Sequence, residues 1–93
     1  MRSDDLELAK RVVDAVWDAR AAALLEQKEP TVVLLRQDVE ALLRRFVRED
    51  GTLADPRTTL YIGRLNPDTR HVKAIFGIPV RVQPGQITAV VVQ

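Results

Sequence analysis

The segment that most constrains the fold is residues 37–48, where apolar side chains recur with helical spacing. Acidic residues stand at the start of this segment and arginines at its end, which complements the helix dipole at both termini. Asp50-Gly51 follows, and Gly51 ends the helix because glycine readily adopts a positive φ. A helix that is apolar on one face needs a second layer to cover that face. The apolar face consists of Val39, Leu42, Leu43, Phe46 and Val47.

A longer helix is predicted for residues 3–26, with acidic residues in its first turn. Its apolar arc is wide, and we place Trp17 in the core. A helix of this kind usually contacts more than one neighbour. Two interpretations follow: the helix crosses only its own domain, or one side packs against a second copy of the chain. The candidate oligomer face consists of Val12, Val16, Ala19 and Ala23.

Four strands are predicted, at residues 31–35, 58–62, 78–82 and 87–92. The first is β-branched and lacks alternation, which favours a central strand covered on both faces. The last two are separated by Gln-Pro-Gly-Gln, which is typical of a type II turn and predicts a C-terminal hairpin.

Residues 66–76 fit two structures. Asn66-Pro67 begins either a short helix through Phe76, with proline in its first turn, or a β-turn with Pro67 at the second position. The helical spacing of Val72, Ile75 and Phe76 leads us to favour the helix.

These elements define the fold class as α+β. We expect one small domain spanning residues 1–93, with a mixed sheet of about four strands packed by two main helices. The 93 residues allow one core, and the absence of cysteine excludes a disulfide scaffold. No apolar run approaches the roughly 20 residues that a membrane helix needs. We therefore expect no membrane association, and a cytoplasmic or virion location.

Few side chains offer chemistry. The chain has one histidine, and its four glycines are isolated, so no glycine-rich phosphate loop is present. His71 is expected to be a solvated surface residue. An enzyme would need Asp55, Asp68 and His71 to cluster in a cleft. We expect no catalytic residues, no cofactor and no metal site.

The charges are distributed unevenly along the chain. Residues 1–56 carry nine basic and twelve acidic side chains, whereas residues 57–93 carry five basic and one acidic. This asymmetry fits three interpretations: an ordinary solvated surface, association with an anionic partner, or contact between the acidic part of one copy and the basic part of another. The candidate anionic-partner patch consists of Arg57, Arg64, Arg70, Lys73 and Arg81.

Residues 30–92 resemble the later part of tailed-phage major capsid proteins. In those proteins Pro-Thr and an apolar strand lead into a helix, a glycine-containing loop, a Leu-x-Gly-x-Pro-Val segment, a turn and a final strand. The long spine helix and the extended loop of that family are missing here. The resemblance implies association with other copies or with a virion component, and it supplies no catalytic residues. The matching segments are 30–35, 38–48, 50–51, 75–82 and 84–92.

Together these features predict a non-catalytic interaction or assembly protein that acts as a homo-oligomer, with a phage or prophage virion component as the suggested class. The alternative is a small nucleic-acid-associated or regulatory protein that uses the basic C-terminal part.

Overall fold

The computed structural model describes residues 3–55 and 61–93. Two helices and five strands form within these ranges, and the strands make one mixed sheet, which confirms the predicted α+β class with one strand more than expected. None of the described helices has the length and apolarity needed to cross a membrane. In chain order the elements are α1 Ser3–Leu25, β1 Val33–Leu35, α2 Gln37–Phe46, β2 Gly63–Leu65, β3 Val72–Ile75, β4 Ile78–Val82 and β5 Val90–Val92.

The first helix ends one residue earlier than predicted, in a well-formed C-terminal cap. Gln27 adopts a positive φ of 59°. The amide of Lys28 donates to the carbonyl of Ala23 at 2.8 Å, and the amide of Gln27 donates to Leu24 at 3.0 Å. This pair of bonds is the Schellman motif, in which a left-handed residue lets the chain leave the helix axis. Pro30 then keeps the chain extended before β1.

The sheet has the strand order β2-β3-β4-β1-β5. β1 lies inside the sheet, as predicted, with β4 parallel on one side and β5 antiparallel on the other. The predicted hairpin between the last two strands is therefore wrong. Its turn does form: Gly85 has a φ of 80°, and the amide of Gln86 donates to the carbonyl of Gln83 at 3.2 Å. In this position the backbone groups of β1 are hydrogen-bonded on both edges of the strand.

The predicted helix within residues 66–76 is also wrong. The segment begins with a turn, but the amide of Arg70 donates to the carbonyl of Asn66 at 2.8 Å, so this turn is one residue longer than the β-turn alternative. The Oδ1 atom of Asn66 accepts the amides of Asp68 and Thr69, and Arg70 closes the turn with a φ of 65°. The chain then enters β3, where the pairing with β2 contains a bulge. A bulge inserts one residue, so Val72 and Ile75 lie on one face three positions apart and imitate helical spacing.

β3 and β4 are joined by a two-residue turn. Phe76 and Gly77 have φ values of 50° and 79°, which is the pattern of a type I′ hairpin. The ring of Phe76 packs edge-to-face on Trp17 with centroids 5.0 Å apart. Trp17 itself is half exposed, so its predicted place in the core is wrong.

Both helices cover the same face of the sheet. The buried side chains of α1 and α2 join those of Val33, Leu35, Ile75 and Ile78 in one core. Residues paired across strands share a face, so these four positions define the helix side. We call the other side of the sheet the open face. Leu34 on this face is only half-buried, so the prediction that β1 is covered on both faces is wrong.

One predicted strand falls partly outside the described residues. Of residues 58–62, the structure describes Tyr61 and Ile62, and Tyr61 forms an isolated antiparallel bridge with Thr52. The neighbouring strand of the sheet, β2, begins at Gly63.

Candidate functional site

One carboxylate of α2 lies inside the protein. Glu40 is 1% exposed. Its Oε1 atom lies 2.9 Å from Nη2 of Arg44 and 2.9 Å from Nδ1 of His71, and its Oε2 atom accepts the amide of Val72 at 3.0 Å. A buried charge is costly unless it is paired and hydrogen-bonded, and these contacts supply both. We call this group the Glu40 cluster; it joins α2 to the start of β3.

A carboxylate against Nδ1 fixes the orientation of an imidazole, an arrangement found in acid–base and metal sites. Here both carboxylate oxygens are taken up by the protein's own donors. Asp55 is buried, and its Oδ2 atom lies 3.5 Å from Nζ of Lys10, whereas Asp68 lies on an exposed turn. Asp55, Asp68 and His71 therefore do not form the cluster that an enzyme would need. Within residues 3–55 and 61–93, no group of three or more acidic or histidine side chains could hold a metal ion. The contacts of the Glu40 cluster are those of a structural connection.

Burial of the two acids, Glu40 and Asp55, was not predicted from the sequence. Glu40 lies at the border of the apolar stripe, three residues before Leu43 and seven before Val47, and this position is the signal that could have revealed it. Asp55 carries no comparable signal, because it stands in an irregular segment before Pro56. His71, expected to be simply solvated, contacts Glu40 while remaining about half exposed.

The predicted basic patch divides into paired and unpaired residues. Arg57 lies outside the described residues. Arg70 is ion-paired, with its Nη1 atom 3.5 Å from Oε1 of Glu49. Arg64, Lys73 and Arg81 are exposed, and no side-chain hydrogen bond or ion pair holds them in the part of the chain that the structure describes.

Two of these unpaired residues lie on the open face. The register pairs Arg64 with Ala74 and Ala74 with Pro79, and Arg81 follows two positions later on β4. Arg81 is in turn paired with Leu34, and Leu34 with Val91. Lys73 is the extra residue of the bulge in β3. The structure therefore brings Arg64 and Arg81 to one surface and places Lys73 on the neighbouring strand.

The free edge of β5 exposes backbone groups. Hydrogen-bonded pairs with β1 occur at Val32/Gln93 and at Arg36/Ala89. Hydrogen-bonded pairs alternate along an antiparallel ladder. The amide and carbonyl of Val91 therefore point toward β1, whereas the amides and carbonyls of Val90 and Val92 point outward. Among the described residues these outward groups have no hydrogen-bond partner.

The predicted oligomer face is only partly available. Val12 and Val16 are 4% and 0% exposed and pack in the chain's own core, so their assignment to an external face is wrong. Ala19 and Ala23 instead line a groove of about 390 Å³ together with Val92 at the end of β5. The alanine flank of α1 and the edge of β5 are thus adjacent surfaces.

Two exposed carboxyls are held in their charged form by local hydrogen bonds. The hydroxyl of Thr52 donates to Asp50 at 2.7 Å and its amide donates at 3.0 Å, and these bonds lower the pKa of Asp50. The guanidinium of Arg36 donates to Asp38 at 2.6 Å, which lowers the pKa of Asp38 and raises that of Arg36. Both carboxyls stabilise local geometry, at a loop and at the start of α2.

No family model matches the chain, and searches of curated proteins and of solved structures found no match. The similarity to capsid proteins stays a prediction.

Proposed function

We propose that this protein is a non-catalytic assembly protein that self-associates through the free edge of β5. The observation that carries the proposal is the row of outward backbone groups on Val90 and Val92, which have no partner among the described residues. An unpaired edge strand is a template for strand addition. β5 has three consecutive valines and no proline, charge or bulge to discourage pairing.

The edge is suited to pairing with a copy of itself. In an antiparallel two-fold arrangement centred on Val91, Val90 of one copy lies opposite Val92 of the other. These are the two residues whose amides and carbonyls point outward, so each of the two symmetric pairs exchanges both of its hydrogen bonds. Val91 then faces Val91 of the second copy without hydrogen bonds, and the two sheets become continuous.

The flank of α1 supports the same arrangement. Pairing at β5 brings the two α1 helices together on the helix side of the joined sheet, and close helix packing at about 8–10 Å requires small side chains. Ala15, Ala19 and Ala22 share one flank of α1 by helical spacing, and Ala19 and Ala22 line the groove beside Val92. Leu8, one heptad before Ala15, is 46% exposed and gains cover from a second copy.

The remaining features agree with binding rather than turnover. Both oxygens of the buried Glu40 are engaged in holding α2 to β3. The resemblance of residues 30–92 to capsid proteins points the same way, because those proteins also act by association.

The test is sedimentation equilibrium over a concentration series, with two variants of one residue. Val92→Pro removes the outward amide from each copy, and therefore half of the proposed hydrogen bonds. Proline is tolerated at this edge position because that amide does not bond β1 and because Val91 before it is extended. Val92→Thr keeps the amide and the branched side chain and is the matched control.

We expect the wild type and Val92→Thr to form dimers at micromolar concentration, and Val92→Pro to dimerise at least tenfold more weakly with an unchanged circular dichroism spectrum. A wild type that remains monomeric at several hundred micromolar contradicts the proposal. Equal association of the two variants contradicts the assigned edge.

A further inference from the structure

Basic side chains on the strands differ from those on the helices and loops. The five described strands contain three basic residues and no acidic residue. Most described basic residues elsewhere have a carboxylate partner. These pairs are Lys10 with Glu7 and Asp55, Lys28 with Glu26, Arg36 with Asp38, Arg44 with Glu40, Arg45 with Asp5, and Arg70 with Glu49.

Unpaired cations on strands that contain no carboxylate produce a local positive potential, although the whole chain has a net charge of only +1. Arg64 and Arg81 are two strands apart and offset by two residues along the strands. With strands about 4.8 Å apart and a rise of about 3.3 Å per residue, their Cα atoms are separated by roughly 12 Å. Spread charges of this kind are suited to a partner whose own charges repeat along its length.

We infer that the open face, with Arg64 and Arg81 as its contacts and Lys73 beside them, binds the phosphate backbone of double-stranded nucleic acid. Arginine suits this role because its planar guanidinium forms paired hydrogen bonds with phosphate oxygens. The other described residues placed on this face by the register, Leu34, Ala74, Pro79 and Val91, include no aromatic ring on which an unpaired base could stack. The contact is therefore to the backbone and independent of base sequence.

The proposed self-association would extend this face without being required for it. Arg81, Leu34 and Val91 lie in register, so pairing at Val91 places the two copies of Arg81 on one line across five strand spacings, or about 24 Å. This extension rests on the proposed function, whereas binding by a single copy does not. A dimer should release about twice as many counterions as a monomer.

The experiment measures fluorescence anisotropy of a labelled 24-base-pair DNA duplex between about 20 and 200 mM NaCl. We expect micromolar binding by the wild type, with an affinity that falls steeply as salt rises. The double variant Arg64→Ala, Arg81→Ala should bind at least tenfold more weakly, and the slope of log affinity against log salt should fall by about one for each phosphate that the variant no longer binds. Arg11→Ala is the matched control, because Arg11 is an exposed arginine on α1 without a partner among the described residues; it should change affinity less than twofold.

Three outcomes would overturn the inference: no binding at 20 mM NaCl, an equal loss with Arg11→Ala, or binding of poly-glutamate as tight as that of the duplex, which would indicate an acidic protein partner. The Val92→Pro variant separates this inference from the proposed function. If Val92→Pro binds DNA with about half of the wild-type salt slope, the result supports both DNA binding by the open face and self-association through β5. If the wild type is monomeric yet binds DNA through Arg64 and Arg81, only the self-association fails.

Discussion

The two edges of the sheet differ in how the chain covers them. At the β2 edge, the carbonyl of Gly51 accepts the amides of Ile62 and Gly63, and Thr52 bridges to Tyr61. At the β5 edge, the outward groups of Val90 and Val92 meet no partner among the described residues. An open edge is a liability unless another strand covers it, and for this reason we propose the β5 edge, rather than the β2 edge, as the site of self-association.

The largest expected effect comes from removing the cover of the β2 edge. Gly51 has a φ of 86°, and a Cβ atom there would clash with the carbonyl oxygen of Gly63 and the ring of Tyr61. Gly51→Ala should lower the free energy of unfolding by about 3 kcal/mol, measured by urea denaturation. Gly85→Ala is the control: its φ is 80° but no atom lies within 4 Å of the added Cβ, so it should cost only about 1–2 kcal/mol. Equal losses would show that close packing at Gly51 does not matter.

The next effect concerns the Glu40 cluster, which anchors β3 beside the covered edge. Glu40→Ala leaves the amide of Val72 and the guanidinium of Arg44 without their carboxylate, and should cost about 2 kcal/mol in urea denaturation. Glu49→Ala removes an exposed carboxylate that also faces an arginine, and should cost less than about 1 kcal/mol. Comparable losses would mean that burial of Glu40 contributes nothing to stability.

The smallest effect is a pH dependence in the loop that covers the β2 edge. Hydrogen bonds from Thr52 hold the pKa of Asp50 below its usual value of 3.8. Because the pKa is lower in the folded state than in the unfolded state, this stabilisation is present above about pH 4 and is lost as the pH falls through the folded pKa. An NMR titration of the Asp50 carboxyl should show a higher pKa in the variant Thr52→Val. An unchanged pKa would show that the hydroxyl has no part in it.

Local patterns predicted the helices well, because periodicity and charge at the termini act within a few residues of each other. The stripe from Val39 to Phe46 marks α2 correctly, although the helix ends at Phe46 rather than at residue 48. Strand pairing depends on contacts distant in sequence. The turn at Pro84-Gly85 formed as predicted, yet β1 separates the strands on either side of it.

At the candidate site, too, local features were predictable from the sequence and contacts between distant segments were not. Exposure of Arg64, Lys73 and Arg81 was predictable from charge, but their lack of carboxylate partners among the described residues and the common face of Arg64 and Arg81 depend on register. Val12 and Val16 were assigned to an external face because the apolar arc of α1 is wide, and only the packing shows which side of that arc the sheet covers. The partners of Glu40 come from a distant part of the chain, so spacing within α2 did not reveal them.

The most direct test of the account is a cross-link at the centre of the proposed interface. Residues opposite each other in a pair without hydrogen bonds have Cα atoms about 4.5 Å apart, within the range of about 4.4–6.8 Å that a disulfide spans. The chain has no cysteine, so Val91→Cys introduces a single thiol. Under mild oxidation at low micromolar concentration, the account predicts rapid conversion to a covalent dimer with unchanged secondary structure. Cross-linking no faster than that of Leu25→Cys, a residue that is 87% exposed near the end of α1, would contradict it.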